Sequence, residues 1–408
     1  MHSIHGKSTP AIVLGRGYTG LGAMRSLEQA RIPTWVACPA GDLATRSRIY
    51  RALPGTPPWD GTIDARARER LQALPFEQAV LIPCADDAAL WAADIAGSEQ
   101  SSRFRTSSSS RTTLEILQDK DRFAAYLAGT NVPHPRTFVI ADRGDIAAVD
   151  FSRLDRVFLK PVDSQRYNRE FGGKGIWVNG RVELEAQWSR LDALGFQMVA
   201  QEYVPGGADD HYFIDGFRDR EGELAGIFCR RRLRIHPPDF GNSSYCISIG
   251  PGELSSAIDN LATLLARLSY RGIFSAEFKR DARDGRFKLL EVNTRAWWYV
   301  EFAARCGVNV CRMAWEDANA LPVGRASMRY RVGAGCVNLH GDIQSVLLHR
   351  GPGKTPLPKA IGQWARAYFH VFRLRDPWPG LSLLWEGIRQ RVLRAVSRPA
   401  PVQPGKVG

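Results

Sequence analysis

Residues 274–298, FSAEFKRDARDGRFKLLEVNTRAWW, leave few choices of fold. Two runs rich in apolar and β-forming residues, 273–281 and 286–294, flank Arg283-Asp284-Gly285. That triplet reads as a three-residue hairpin loop with glycine where a positive φ is needed. The loop sets Ala282 opposite Arg286. Counting outward, Lys279 falls opposite Leu289, Glu277 opposite Glu291 and Ser275 opposite Asn293. Alternation then puts Glu291, Asn293 and Arg295 on one face, with Glu277 beside them. Like charges directly opposed in a sheet destabilise it, and a divalent cation between them removes that cost. Carboxylate and amide oxygens are the donors that Mg²⁺ accepts, with phosphate and water completing its shell. The plainer reading is a surface hairpin with solvated acids, and the hairpin alone does not choose between the two.

Composition narrows the field. A chain of 408 residues has room for two or three domains, each with an ample core. The opening MHSIHGKSTP has no apolar stretch of the secretory kind, and no apolar run approaches the length that spans a bilayer. Seven cysteines without a C-x-x-C pair point to reduced thiols and a cytoplasmic setting, not to a disulfide frame or a thiolate metal site. The net charge of +13 is concentrated: residues 321–408 carry 14 lysines and arginines against Asp342, Asp376 and Glu386, leaving +11 there. A basic chain ordinarily suggests nucleic acid. Here the excess belongs to one terminal segment, so no nucleic-acid partner is expected.

The first hundred residues read as an α/β domain. AIVLGRGYTGLGAMRSLEQARIPTWVAC (11–38) is strand, glycine turn, helix, strand, and AVLIPCAD (79–86) is a further strand leading into a helix. Gly15, Gly17 and Gly20 have G-x-G-x-x-G spacing, which raises an NAD-dependent oxidoreductase as a rival from another class. Dinucleotide binding wants an acid at the end of the second strand to hold the ribose. This strand ends Ala37-Cys38-Pro39, with no acid before Asp42, so a tight strand-to-helix turn is the better account. The Ser/Thr/Arg-rich run 98–113 reads as a linker or as a polar strand with turns, and its low complexity favours a linker closing an N-terminal domain at 1–113.

Chemistry-bearing residues then follow in order. Lys120 lies on a helix, and Lys160 on the apolar strand VFLKP. A lysine there needs an anionic partner or must reach solvent. Gly172, Gly173 and Gly175 surround Lys174 in a turn whose amides can wrap phosphate oxygens. The strand MVAQEYV (198–204) breaks at Pro205-Gly206-Gly207 and is followed by Asp209 and Asp210.

This ordered set, closed by Glu277 and Glu291-Val292-Asn293-Thr294-Arg295, resembles the ATP-grasp superfamily over about residues 114–300. Within it, QEYVPG, CRRRLRIHPPDFGNSS (229–244) and the hairpin resemble carboxylate–amine ligases of the D-aspartate-ligase type. The GGKG loop is shorter than that of biotin carboxylases. The resemblance implies a Rossmann-like N-terminal α/β domain, then an ATP-grasp domain (114–325, lid at about 135–200), then a basic extension (326–408). It implies that Lys120, Lys160, Lys174 and the glycines hold ATP phosphates. Gln201, Glu202, Tyr203 and Val204 would read adenine, and Asp209 or Asp210 the ribose. Glu277, Glu291 and Asn293 would bind Mg²⁺ (or Mn²⁺), two ions being expected. Arg295 and Lys174 would stabilise the transferred phosphoryl group. The products would be an acyl phosphate and then an amide, from small-molecule carboxylate and amine substrates. The runner-up is a carboxylase or carbamoyl-phosphate-type enzyme using bicarbonate.

Two further readings come from the residues themselves. Arg230, Arg232 and Arg234 share one strand face, and arginine forks suit carboxylates, so Arg232 and Arg234 are expected at a substrate. In the tail, Leu381, Leu384, Trp385, Ile388, Val392 and Val396 recur at helical spacing beside arginines. Such a helix packs its stripe on the enzyme or lies on the anionic inner face of the membrane.

Overall fold

The computed structural model describes residues 9–396 apart from 174, 239–240, 325–328 and 349–352. Its strands form three sheets. The first contains β1 (Ala11–Leu14), β2 (Thr34–Ala37), β3 (Ala79–Pro83) and β4 (Phe104–Arg105), all parallel in the order β2-β1-β3-β4. Every residue of β1 and β3 is buried. Parallel strands are covered on both faces and so read as unbroken apolar runs. Crossovers such as the helix Gly17–Gln29 make that arrangement possible.

The glycine turn after β1 is explained by close packing. A Cβ on Gly15 would sit 2.2 Å from Cys84 Cβ, and one on Gly20 would sit 2.5 Å from the Gly15 carbonyl oxygen. The Gly17 amide, at φ +60°, donates to the Asp42 carboxylate at 2.9 and 3.1 Å. An amide already facing a carboxylate is a poor seat for a pyrophosphate, so the fingerprint serves the turn and the dinucleotide reading loses its support.

The polar run 98–113 is not a loose linker. Within it β4 pairs with β3, and Thr106, Ser107 and Ser109 are buried. Ser107 Oγ donates to Asp317 at 2.5 Å, and Ser110 caps the helix Arg111–Gln118. Low complexity misled because Thr106, Ser107 and Ser109 each donate to a distant segment, at the Leu81 carbonyl, the Asp317 carboxylate and the Arg271 carbonyl.

The second sheet, β5 (Thr137–Ile140), β6 (Val157–Pro161), β7 (Ile176–Val178) and β8 (Met198–Glu202), is antiparallel in the order β5-β8-β6-β7. It has its own core, which includes Val157, Leu159, Trp188 and Met198.

The third sheet has seven strands: β9 (His211–Arg218), β10 (Leu224–His236), β11 (Asn242–Ile249), β12 (Gly272–Arg280), β13 (Phe287–Asn293), β14 (Gly335–Val337) and β15 (Tyr368–Phe369). Their order is β13-β12-β9-β10-β11-β14-β15, antiparallel except for β14 and β15. The basic C-terminal segment therefore supplies the last two strands of the central sheet.

Two buried acids hold that segment in place. Asp342 takes Arg234 Nη2 at 2.6 Å, and Asp376 takes Arg25 Nη2 at 2.7 Å, with every one of these side chains at most 7% exposed. The second pair ties the C-terminal segment to the helix that follows β1.

The hairpin β12–β13 has the expected pairs at the site and a different path between them. Glu277 pairs with Glu291 and Ser275 with Asn293, but Lys279 faces Lys288 instead of Leu289. The loop is one residue longer than expected, since the Asp281 amide bonds the Arg286 carbonyl and Gly285, at φ +71°, donates back to Asp281. A bulge at Leu290 then takes up the extra residue. It also lets Leu290 and Glu291 face the same side, which brings Glu291 and Asn293 out of the core while Leu289 and Val292 stay in it.

Candidate active site

A pocket of about 190 Å³ lies between the second sheet and β13, lined among others by Lys120, Lys160, Gln201, Glu291 and Asn293. Each element delivers its residue for a local reason. Lys120 opens the helix Lys120–Ala128 and its Nζ donates to the Val162 carbonyl at 2.9 Å. Burial lowers its pKa, while the carboxylates of Glu291 and Asp86 pull the other way. Lys160 is the one half-exposed position of β6, and it donates to Gln201 Oε1 at 2.6 Å. Two ammonium groups thus line a pocket that β13 also lines.

On that wall the side chains form a chain of contacts. Asn293 Nδ2 donates to Glu291 at 3.2 Å, and Arg295 Nη2 donates to Asn293 Oδ1 at 3.3 Å. Arg295 Nε also donates to Asp86 at 2.7 Å. Asp86 begins the helix after β3, so the N-terminal sheet contributes to the site. The sequence reading assigned it nothing, although an acid closing a buried strand was the available signal.

Glu277 receives two donors on one oxygen, His211 Nδ1 at 2.7 Å and Arg232 Nη2 at 3.2 Å. Burial and the neighbouring Arg232 keep the His211 pKa below the ordinary value. Its bond to Glu277 and its position opposite Lys279 put His211 in the candidate site. Among the described residues no three His, Cys, Asp or Glu side chains close a cation cage. Two carboxylates and an amide are nevertheless hard oxygen donors, and an incomplete set suits an ion shared with phosphate oxygens.

The three arginines of β10 share a face, and each meets an acid. Arg230 Nε donates to Asp215 at 2.7 Å, Arg232 contacts Glu277, and Arg234 makes three contacts with Asp342 at 2.6–3.1 Å. Arg234 also donates to Gln363 at 2.5 Å and lies over Tyr245. Its fork is spent on the C-terminal helices, so the expectation of a substrate role for Arg234 is corrected. Arg232 remains at the site.

Around the hinge after β8, Glu202 is buried and takes the Arg136 amide at 3.0 Å and Arg283 at 2.7 Å. Burial raises its pKa, but those donors and Lys288 outweigh it and the net shift is downward. Its side chain is thus already committed, and the Glu202 and Tyr203 amides donate to the Arg136 and Arg156 carbonyls at 2.8 and 3.2 Å. The Arg156 guanidinium and Lys279 Nζ lie over the Tyr203 ring, 3.9 and 4.9 Å from its centre, with Trp177 edge-on at 5.2 Å. Val204 is buried. Lys279 is itself buried, which pulls its pKa down to about 8. Neither Lys279 nor Arg156 was singled out in sequence.

Asp209 turns outward to Arg231 at 3.0 Å, whereas Asp210 takes the Gly207 amide at 2.9 Å and acts on Lys279. Gly172 and Gly173 face open space, while a Cβ on Gly175 would strike the Leu159 carbonyl oxygen at 2.4 Å. Lys174 lies outside the described residues.

No protein-family model matches the chain. It is similar to the D-aspartate ligase of Enterococcus faecium, with 25% identity over 334 residues covering 78% of each chain. Among solved structures it is similar to the biotin carboxylase domain of Hydrogenobacter thermophilus 2-oxoglutarate carboxylase in complex with MgADP, ADP and bicarbonate. That match has a TM-score of 0.61 and 15% identity, covering 81% of this chain and 74% of that one. It is also similar to the L-amino acid ligase of Bacillus licheniformis, with a TM-score of 0.57 and 13% identity, covering 81% and 79%.

Proposed function

We propose that this chain, which has the ATP-grasp fold, is an ATP- and Mg²⁺-dependent ligase joining a carboxylate to an amine. The observation that carries the reading is the pocket that Lys120 and Lys160 share with Glu291 and Asn293, where Glu291 pairs with Glu277 across the hairpin. Anionic oxygens and cationic nitrogens around one pocket suit a metal-bound polyphosphate. The similarity to a D-aspartate ligase supports the bond type.

In this reading Lys120 and Lys160 hold nucleotide phosphates, with Lys174 and its glycines closing over them from a lid at about 135–200. The Glu202–Val204 backbone and the Tyr203 ring seat adenine, and Asp210 is favoured over Asp209 for the ribose. Glu277, Glu291 and Asn293 hold two Mg²⁺ ions, which would neutralise charge on the phosphates. A carboxylate oxygen of the first substrate attacks the γ-phosphorus of ATP, and ADP leaves. The amine of the second substrate attacks the acyl carbon, inorganic phosphate leaves, and the amine loses a proton to solvent. Arg295 faces the charge that develops on the transferred group, and positioning with cationic stabilisation carries the step. Arg232 is the proposed fork for the carboxylate. The setting is cytoplasmic, and seven buried free cysteines accord with it.

The test is ADP release from Mg-ATP across a panel of amino acids, other carboxylates and bicarbonate, with products followed by mass spectrometry. ADP and phosphate formed only with a carboxylate–amine pair, and a product lighter by water than the two together, are expected. ADP release with bicarbonate alone would favour a carboxylase. Mg-ATP should also raise the melting temperature by binding linkage, and NAD(H) should not. The reverse pattern would sink the ligase reading.

A further inference from the structure

The described part of the apolar stripe of the last helix faces outward. In the helix Trp378–Val396, Leu384 is 61% and Trp385 71% exposed, and Leu381 and Trp378 on the same side are exposed too. The packing alternative from the sequence therefore does not hold for the described part of this stripe. It is also not isolated. Gly387 lies against His340, where an added Cβ would be 3.7 Å from the ring. His340 belongs to the helix Leu339–Leu348, which exposes Leu347 and Leu348. That helix is joined to Leu357–Arg366 by Trp364 Nε1 donating to Asp342 at 2.6 Å, and there Ile361 is exposed. Three neighbouring helices thus present large apolar side chains to solvent, which calls for a partner.

The charge around them selects it. Two of the three acids in residues 321–408, Asp342 and Asp376, are buried in ion pairs with Arg234 and Arg25. Glu386 is left facing solvent, and Lys354, Lys359, Arg366, Arg375 and Arg389 of the same segment are exposed as well. A second copy of the chain placed symmetrically on this face would set basic surface against basic surface. Residues 397–408, SRPAPVQPGKVG, offer two valines as large apolar residues, too few to cover it. No described helix is long and apolar enough to cross a membrane.

We infer that these three helices dock the protein on an anionic lipid surface, with Leu384, Trp385 and Leu347 entering the headgroup layer and the basic residues meeting lipid phosphates. This inference does not depend on the ligase reading. It extends the tail-helix idea from one helix to a surface on which two of the three acids of residues 321–408 are removed from solvent.

The test is co-sedimentation of the full chain with phosphatidylcholine vesicles and with vesicles that also contain phosphatidylglycerol. Strong pelleting is expected only with the anionic vesicles at low salt, and it should fall by roughly tenfold or more in high salt. Leu384→Glu with Trp385→Glu, at exposed positions away from the pocket, should cut partitioning at least about tenfold. The melting temperature should be unchanged in that variant. Replacing one exposed Lys or Arg by Ala should cost roughly fivefold. Absence of anionic-vesicle binding in the full chain would overturn the proposal, and so would equal binding by the double variant. A dimer that the double variant converts to monomer, with no vesicle binding, would assign the face to a second copy.

Discussion

Glu277 shares one carboxylate oxygen with His211 and Arg232, while Glu291 and Asn293 bond each other. The two sides of the opposed pair should therefore respond differently to truncation. Glu291→Ala or Asn293→Ala is expected to lower ADP formation by at least about a hundredfold with little change in melting temperature. Near-normal turnover in either variant would remove the metal assignment. Arg232 and Arg234 make a second contrast. Arg232→Lys keeps the charge but loses the planar fork, and should raise the KM for the carboxylate substrate while leaving that for ATP. Arg234→Lys should leave both constants and lower stability, by about 3 kcal/mol if the Asp342 contacts are largely lost. Steady-state kinetics and urea denaturation separate the two. A raised carboxylate KM in the Arg234 variant would return that residue to the site.

At the scale of elements, the sequence disclosed those whose chemistry is local. The α/β alternation, the helix after β1, the hairpin and the shared face of the β10 arginines were all legible, because period, turn residues and strand alternation act between near neighbours. Residues brought by distant elements were not. Asp86 reaches Arg295 across 209 positions, and Arg234 finds Asp342 across 108. Nothing local marks such pairs. The hairpin loop was misjudged by one residue because Gly285 suits a four-residue loop as readily as a three-residue one. Its φ of +71° yields a prediction for this element. Gly285→Ala should cost about 1 kcal/mol of stability, read from thermal or urea unfolding, with ADP formation unchanged. A loss of activity at unchanged stability would mean that the loop itself touches substrate.

In the whole molecule, Asp376 joins the two ends of the chain. It receives Arg25, the Ser47 hydroxyl at 2.6 Å and the Arg48 amide at 3.0 Å. Burial raises its pKa, but those donors outweigh burial and the net shift is below the ordinary value. A carboxylate depressed in the folded state stabilises above its unfolded pKa, near 4, and that contribution is lost as pH falls through the folded value. Asp376→Asn should destabilise the protein at pH 7 by about 3 kcal/mol. It should also flatten the fall in stability below about pH 4. Denaturation at pH 7 and at pH 3 measures both, and an equal deficit at the two pH values would contradict the linkage. The burial of this acid and of Asp342 leaves Glu386 as the one acid of residues 321–408 exposed on the positive C-terminal segment.

The longer loop and the bulge at Leu290 cancel, so Glu277 meets Glu291 at the same separation that a regular hairpin with a three-residue loop would give. Related chains with either path would align without a gap, and the spacing of the two acids would not tell one path from the other. The path shows only in the pairs between them, where Lys279 faces Lys288 rather than Leu289.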